Sequence, residues 1–160
     1  MTGIIFNPEK ATLLIGLDKK ELGLEAMRMQ AQERGLQEKA EFHLTIIGSR
    51  TGAQMLKQGI PALNIHELAK GRQWRWTAKP EFYYIEKDYE GEKRSAIIQM
   101  VDLPDMDKFY KELRERFKLY TEAPMPHVTL FSGSTSPATV QRGVGIYSEH
   151  EFREMNPERL

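Results

Sequence analysis

Two strand-like stretches share a His-x-Thr motif: Phe42-His-Leu-Thr-Ile-Ile-Gly48 and His127-Val-Thr-Leu-Phe131. Both are apolar and rich in β-branched residues, as is typical of β-strands. Because side chains alternate across a strand, the histidine and the threonine of each motif share one face and stand about 6.6 Å apart along it. Each stretch is therefore predicted to present an imidazole beside a hydroxyl.

The sequence that precedes each motif also occurs twice. Ala11–Asp18 has the pattern of a buried strand that ends at an acidic residue, and Ser95–Asp102 has the same pattern. The interval along the chain from Asp18 to Asp102 equals the interval from His43 to His127. The matching spacing, with no gap between the two features, indicates a duplicated unit.

A helical segment is predicted within each repeat. Lys20–Lys39 has apolar residues at helical spacing, and Pro104–Lys118 has a stronger stripe of period 3.6 with its proline near the start. Each repeat therefore reads as a β-α-β unit. We predict a single domain over residues 1–160, built from two lobes that carry the motifs at 43–45 and 127–129.

Other elements complete this frame. We predict a helical region over Thr51–Lys70, interrupted near Gly59–Pro61, and two strands over Trp74–Ile85 and Glu92–Val101. The charged tail after Tyr147 is expected to fray.

The composition limits the kinds of partner. The 160 residues include 23 basic and 23 acidic side chains, which gives zero net charge, whereas proteins that hold long nucleic acids usually carry a basic excess. We therefore expect a small nucleotide or a short RNA end as the substrate, and no long double-stranded nucleic acid. A monomer is expected.

Several classes of protein are excluded or disfavoured. The chain has no cysteine, which rules out disulfides, thiolate nucleophiles, Fe–S clusters and cysteine zinc sites. No apolar run approaches the roughly 18 residues of a membrane span, and the first residues lack the pattern of a secretory signal. We expect a cytoplasmic protein with no membrane partner.

Paired histidines and threonines suit phosphoryl transfer. If the two lobes face each other, both imidazoles and both hydroxyls meet in one cleft. In-line displacement at phosphorus needs a base for the attacking oxygen and an acid for the departing one, and two histidines with an ordinary pKa of about 6.5 can share these roles. The hydroxyls of Thr45 and Thr129 can donate to the charge that gathers on the phosphate oxygens. This scheme requires no metal or other cofactor.

The motifs His43-Leu-Thr-Ile and His127-Val-Thr-Leu resemble those of the two-histidine (2H) phosphoesterase superfamily, which includes RNA 2',3'-cyclic phosphodiesterases and 2'-5' RNA ligase-like proteins. The resemblance covers about residues 11–132. It implies a two-lobed, pseudo-twofold α+β fold, with two mainly antiparallel sheets lining a central cleft and helices outside. It also implies that both histidines are catalytic and that the threonine of each motif binds phosphate.

One difference from many members of that superfamily bears on the substrate. They carry basic residues just beyond the second motif, where this chain reads Phe131-Ser-Gly-Ser134. The substrate therefore stays open between a 2',3'-cyclic phosphate or 2'-5' linkage and a cyclic (oligo)nucleotide signalling molecule. The alternative outside enzymes is a non-catalytic module that binds a nucleotide or an RNA end.

Three further residues are candidate substrate contacts. Phe131 follows His127 and Thr129 on the expected strand face, where its ring is expected to stack on a nucleobase. Arg142 and Tyr147 reach the phosphate or the base only by analogy with the superfamily.

Other uses of the histidines and serines are disfavoured. A catalytic zinc site needs three protein ligands, and no third ligand accompanies either motif. Gly48-Ser-Arg-Thr-Gly52 does not match the Gly-x-Ser-x-Gly nucleophile motif. His66 and His150 are expected to be surface residues.

Overall fold

The computed structural model describes residues 3–160, which form an α+β fold with two mainly antiparallel sheets and five α-helices. The strands of this part of the chain are β1 (Gly3–Asn7), β2 (Thr12–Gly16), β3 (Gln37–Glu38), β4 (His43–Ile47), β5 (Thr77–Tyr89), β6 (Glu92–Asp102), β7 (His127–Ser134) and β8 (Glu158–Arg159). The helices are α1 (Leu24–Glu33), α2 (Ser49–Lys57), α3 (Ala62–Lys70), α4 (Asp105–Phe117) and α5 (Glu149–Glu154). The predicted α+β class with two antiparallel sheets is confirmed.

The two His-x-Thr strands belong to different sheets. The first sheet has the order β1-β2-β4, and the second has the order β3-β7-β6-β5-β8. β4 is thus an edge strand, and the part of β7 that carries the motif pairs with β6 alone, because β3 pairs only with the later residues Phe131 and Ser132. β4 and β7 approach each other where the sheets meet. Both motifs therefore lie at the boundary between the sheets.

The sequence repeat recurs in the pairing of the strands. His43 pairs with Gly16, and His127 pairs with Met100, so the residues that pair with the two histidines are separated along the chain by the same interval as the histidines themselves. The remaining pairs match in the same way: Ile15–Leu44 with Gln99–Val128, Leu14–Thr45 with Ile98–Thr129, and Leu13–Ile47 with Ile97–Phe131. The register also shifts at the same place in both repeats.

Each His-x-Thr motif is followed by a β-bulge. The extra residues are Ile46 and Leu130, which have no paired residue on the neighbouring strand. The hydroxyl of Tyr110, in α4, donates to the carbonyl of Ile46 at 2.6 Å. The backbone N–H of Lys39, in the first repeat, donates to the carbonyl of Leu130 at 2.9 Å. Each bulge is thus closed by a group from the other repeat.

The buried faces of the strands explain how the motifs are held. Leu44 and Val128, at the centres of the motifs, are fully buried, whereas the histidines and threonines are half-buried on the opposite face. α1 and α4 contribute to the same core the buried residues Leu24, Met27, Ala31, Met106, Phe109, Tyr110 and Leu113. Each large apolar side chain buried in this way contributes about 1.5–3 kcal/mol. In residues 3–160, every helix is too short or too polar to cross a membrane.

The tail expected to fray after Tyr147 forms α5 and β8, so this expectation is wrong. Ser148 caps α5 by accepting a hydrogen bond from the N–H of Glu151 at 3.1 Å. Phe152 packs edge-on against Tyr83, with ring centroids 5.2 Å apart. β8 then pairs with β5 at the edge of the second sheet. The cap, the packing of Phe152 and the pairing of β8 together anchor an otherwise charged segment.

Two further boundaries differ from the sequence expectation. The strand predicted from Trp74 begins only at Thr77, because the indole N–H of Trp74 donates to the carbonyl of Ala69 at 3.0 Å and holds that residue against α3. The first helix is shorter than Lys20–Lys39 and occupies only α1. β1 was not predicted at all, and it forms the outer edge of the first sheet.

Candidate active site

A cleft of about 390 Å³ lies where the two sheets meet. His43, Thr45, His127 and Thr129 all line it, so the four side chains of the two motifs share one cavity. The volume is within the range of small-molecule sites and suits a nucleotide. The boundary between the sheets is thus the candidate active site.

The His127 ring has a defined orientation. Its Nδ1 lies 2.7 Å from the carbonyl of Met125. A carbonyl can only accept, so Nδ1 carries the hydrogen and donates it. In the neutral ring the lone pair is therefore on Nε2, which is the nitrogen left for a ligand.

The two imidazoles differ in their electrostatic surroundings. Burial lowers the pKa of His127; the hydrogen bond to Met125 raises that pKa, and the charge of His43 lowers it. Burial also lowers the pKa of His43, which the charge of Lys39 lowers further and the carboxylate of Glu41 raises. Burial therefore dominates at both rings, and they differ in the group that opposes it, which is the carboxylate of Glu41 at His43 and the hydrogen bond to Met125 at His127.

A glycine lies close to the methyl group of each threonine of the motifs. A Cβ at Gly48 would lie 3.6 Å from the methyl carbon of Thr45, and a Cβ at Gly143 would lie 3.6 Å from that of Thr129. Gly143 also has φ of +69°, which L side chains rarely adopt. The backbone therefore passes close to the methyl groups of both threonines, at the start of α2 in one repeat and in the loop after β7 in the other.

The loop from residue 140 to residue 148 forms one wall of the cleft and is fixed at its centre. The hydroxyl of Tyr89 accepts from the N–H of Gly145 at 2.9 Å. The guanidinium of Arg50, from the first repeat, lies 3.7 Å from the ring centroid of Tyr147. Arg142 and Tyr147, which were candidates only by analogy, both line the cleft. Both residues lie in this loop.

Phe131 does not line the cleft, contrary to its expected place beside His127 and Thr129. The bulge at Leu130 adds one residue and reverses the alternation after Thr129. Phe131 is 2% exposed and packs in the main hydrophobic core. The expectation that its ring stacks on a nucleobase is therefore wrong.

Lys39 and Glu41 also line the cleft, although the sequence pattern did not single them out. The Lys39 ammonium donates to the backbone carbonyl of Gln141, which ties the segment before β4 to the loop after β7. Burial lowers the pKa of Lys39, and Glu41 raises it. Both are charged residues that closely precede His43 in the sequence, and this proximity is the signal that could have identified them.

The other histidines lie outside the cleft lining. The half-buried His66 stacks on Phe6 with ring centroids 4.4 Å apart, and the exposed His150 lies 2.9 Å from a carboxylate oxygen of Glu154. In residues 3–160, no group of three or more His, Cys, Asp or Glu side chains is arranged to hold a metal ion.

Searches of protein-family models, curated proteins and solved structures found no significant match to this chain. Its chemistry is therefore inferred from the cleft, which combines two proton-transfer groups, two hydroxyl donors and cationic side chains. This combination can bind a phosphate group and move protons on either side of it.

Proposed function

We propose that this chain is a metal-independent phosphodiesterase of the two-histidine type, acting on a nucleotide phosphodiester such as a 2',3'-cyclic phosphate or a 2'-5' linkage. The observation that carries the proposal is the equivalent placement of two His-x-Thr motifs on the walls of one cleft. A structural role for a histidine needs no partner in the other repeat. Two imidazoles and two hydroxyls in matching register are what in-line displacement at phosphorus uses.

His127 is the general base in this proposal. Its Nδ1–H is held by Met125, so the neutral ring offers Nε2 to the attacking water. Burial lowers its pKa and so favours the neutral ring before the reaction. His127 takes a proton from water as the new oxygen–phosphorus bond forms.

His43 is the general acid. Burial and Lys39 lower the pKa of His43 and Glu41 raises it, so the imidazolium form depends on the phosphodiester anion, whose charge in the cleft favours it. His43 gives its proton to the departing ribose oxygen as the old phosphorus–oxygen bond breaks. At the end of the reaction His127 is protonated and His43 is neutral, and exchange with solvent restores both.

The threonines and Arg142 stabilise the phosphate oxygens. Thr45 and Thr129 line the cleft from β-strands, and a β-branched side chain has few χ1 rotamers there, so little freedom is lost when their hydroxyls donate to phosphate. Arg142 precedes Gly143, which lies close to Thr129. Arg142 lines the same cleft. Donors fixed in advance stabilise developing negative charge without the cost of reorganisation.

A panel of substrates in EDTA tests the proposed function. We expect the wild type to hydrolyse at least one member of a set of 2',3'-cyclic nucleotides, 2'-5' dinucleotides and cyclic dinucleotides, at a rate that EDTA does not change. A preparation of the double variant His43→Ala/His127→Ala, purified in parallel, controls for contaminating nucleases. Tight binding with no product from any substrate would instead support a binding module.

A further inference from the structure

We propose that the cleft binds a second phosphate group of the same substrate, at a cluster of donors formed by Asn7, Lys10 and Thr12. These residues lie at the turn between β1 and β2, and all three line the cleft. The inference rests on the proposed function, because that function places the first phosphate between the histidines.

The register of the first sheet sets the distance between the two groups. Leu14 pairs with Thr45, so it lies beside the first phosphate, and Thr12 is two residues further along β2. Two residues of a strand span about 6.6 Å. Thr12 in turn pairs with Asn7 across the hairpin. The cluster therefore lies about one sugar unit from the reacting phosphate, along the strand that neighbours β4.

Asn7 can only donate to a ligand. Its side-chain oxygen accepts from the N–H of Glu9 at 3.0 Å and from the N–H of Lys10 at 3.1 Å. These two bonds fix the orientation of the amide, and the amide nitrogen has no hydrogen-bond partner among residues 3–160. A group with two free N–H donors suits an anionic or carbonyl oxygen.

Lys10 supplies a cation that is not neutralised within the structure. No carboxylate among residues 3–160 lies within ion-pair distance of its ammonium, whereas Arg50 and Lys87, which do not line the cleft, both contact Glu151. Glu41 is the acidic residue that lines the cleft, and it lies before His43, at the opposite end of β4 from the turn. The end of the cleft at Lys10 is therefore positive.

The hydroxyls of Ser49 and Thr51 extend the cluster. Both residues line the cleft in the first turn of α2. The helix packs closely against the hairpin turn at Gly52, where an added Cβ would lie only 2.3 Å from the carbonyl oxygen of Lys10. The polar side chains at this end of the cleft, on the turn and on the helix, are thus all able to donate hydrogen bonds.

The substrate class that follows is a nucleotide with two phosphates separated by one sugar. A cyclic dinucleotide and an RNA end of two or more nucleotides both have this chemistry, whereas a single nucleoside 2',3'-cyclic phosphate does not. The second phosphate is expected to increase affinity by about tenfold or more, since hydrogen bonds to a charged group are stronger than those between neutral groups.

Binding of stable nucleotides tests the inference. Calorimetry compares adenosine 3'-monophosphate with adenosine 3',5'-bisphosphate on the wild type, on Lys10→Glu and on Lys57→Glu. Lys57 is an exposed lysine at the far end of α2, so it matches the charge change away from the cleft. We expect the bisphosphate to bind about tenfold or more tightly to the wild type and to Lys57→Glu, and the two ligands to bind nearly equally to Lys10→Glu.

The outcomes separate this inference from the proposed function. Equal affinities on the wild type, no binding of either ligand, or a preference that survives Lys10→Glu would overturn the second phosphate site. Neither ligand is cleaved by the proposed reaction, so a preference for the bisphosphate stands even if the substrate panel gives no turnover. Rates on a cyclic dinucleotide and on a dinucleotide ending in a cyclic phosphate then identify which source of the second phosphate the cleft accepts.

Discussion

His127→Ala and His43→Ala are each expected to lower kcat by about 10² to 10⁴ on the best substrate of the panel. Each substitution removes one of the two groups that move protons in the reaction. The two losses are not expected to add, because acid and base act in the same step and the remaining group gains little without its partner. Steady-state kinetics in EDTA on the single and double variants measure both effects.

His150→Ala is the matched control for these variants. His150 is exposed on α5 and does not line the cleft, so its loss should leave kcat within about twofold of the wild type. Circular dichroism and the thermal midpoint show whether each variant is folded. Activity that survives both His127→Ala and His43→Ala in folded protein would remove the histidines from the chemistry.

Thr45→Val and Thr129→Val are each expected to lower kcat by about 10² to 10³. Valine keeps the shape and the β-branching of threonine but cannot donate a hydrogen bond to a phosphate oxygen. Because the donor acts on charge that develops in the transition state, kcat should fall more than KM rises. The rate of hydrolysis at saturating substrate is the measurement.

Thr77→Val provides the control for the removal of a hydroxyl from a strand. Thr77 is exposed at the start of β5, away from the cleft, so the same change should leave kcat essentially unaltered. A rise in KM with unchanged kcat in both motif variants would mean that the hydroxyls bind the substrate and its transition state equally. The threonines would then be binding groups rather than part of the transition-state site.

The repeat is the part of the fold that the sequence predicted best. The interval between His43 and His127 is also the interval between equivalent paired residues in the two sheets, including the bulges. Local pattern is sufficient to locate the strands and helices of each repeat, although both repeats bury their apolar faces in one shared core. The placement of both motifs on one cleft follows from the contact of β4 with β7, which is a tertiary feature.

The bulge is the feature that alternation could not reveal. A regular strand would put Phe131 beside Thr129, but the extra residue Leu130 turns Phe131 into the core. The carbonyl of the extra residue, Leu130, accepts a hydrogen bond from the N–H of Lys39, and this contact stabilises the bulge. That partner is distant in sequence, so no pattern within β7 indicates it.

The hairpin turn was missed for a similar reason, and two residues of the loop after β7, Arg142 and Tyr147, were candidates only through the resemblance. Lys10 and Asn7 belong to a strand and turn with little contrast between apolar and polar positions, since Ile5 is 52% exposed on the edge strand β1. Arg142 lies in an irregular loop whose course depends on the positive φ of Gly143 and on contacts with distant residues. Such residues enter a site through tertiary structure alone.

The pH dependence of kcat/KM is the most direct test of the paired acid–base mechanism. The low-pH limb reports protonation of the base and the high-pH limb reports loss of the proton from the acid, both in the free enzyme. Because the pKa of each histidine is lowered from its ordinary value of 6.5, the maximum should lie on the acid side of that value. The two limbs belong to the coupled pair.

The profile is measured on the wild type and on both alanine variants. The wild type should give a bell-shaped profile. His127→Ala should lose the low-pH limb, and His43→Ala should lose the high-pH limb. A wild-type profile that is flat between about pH 5 and 8, or variants that keep both limbs, would contradict acid–base catalysis by this pair.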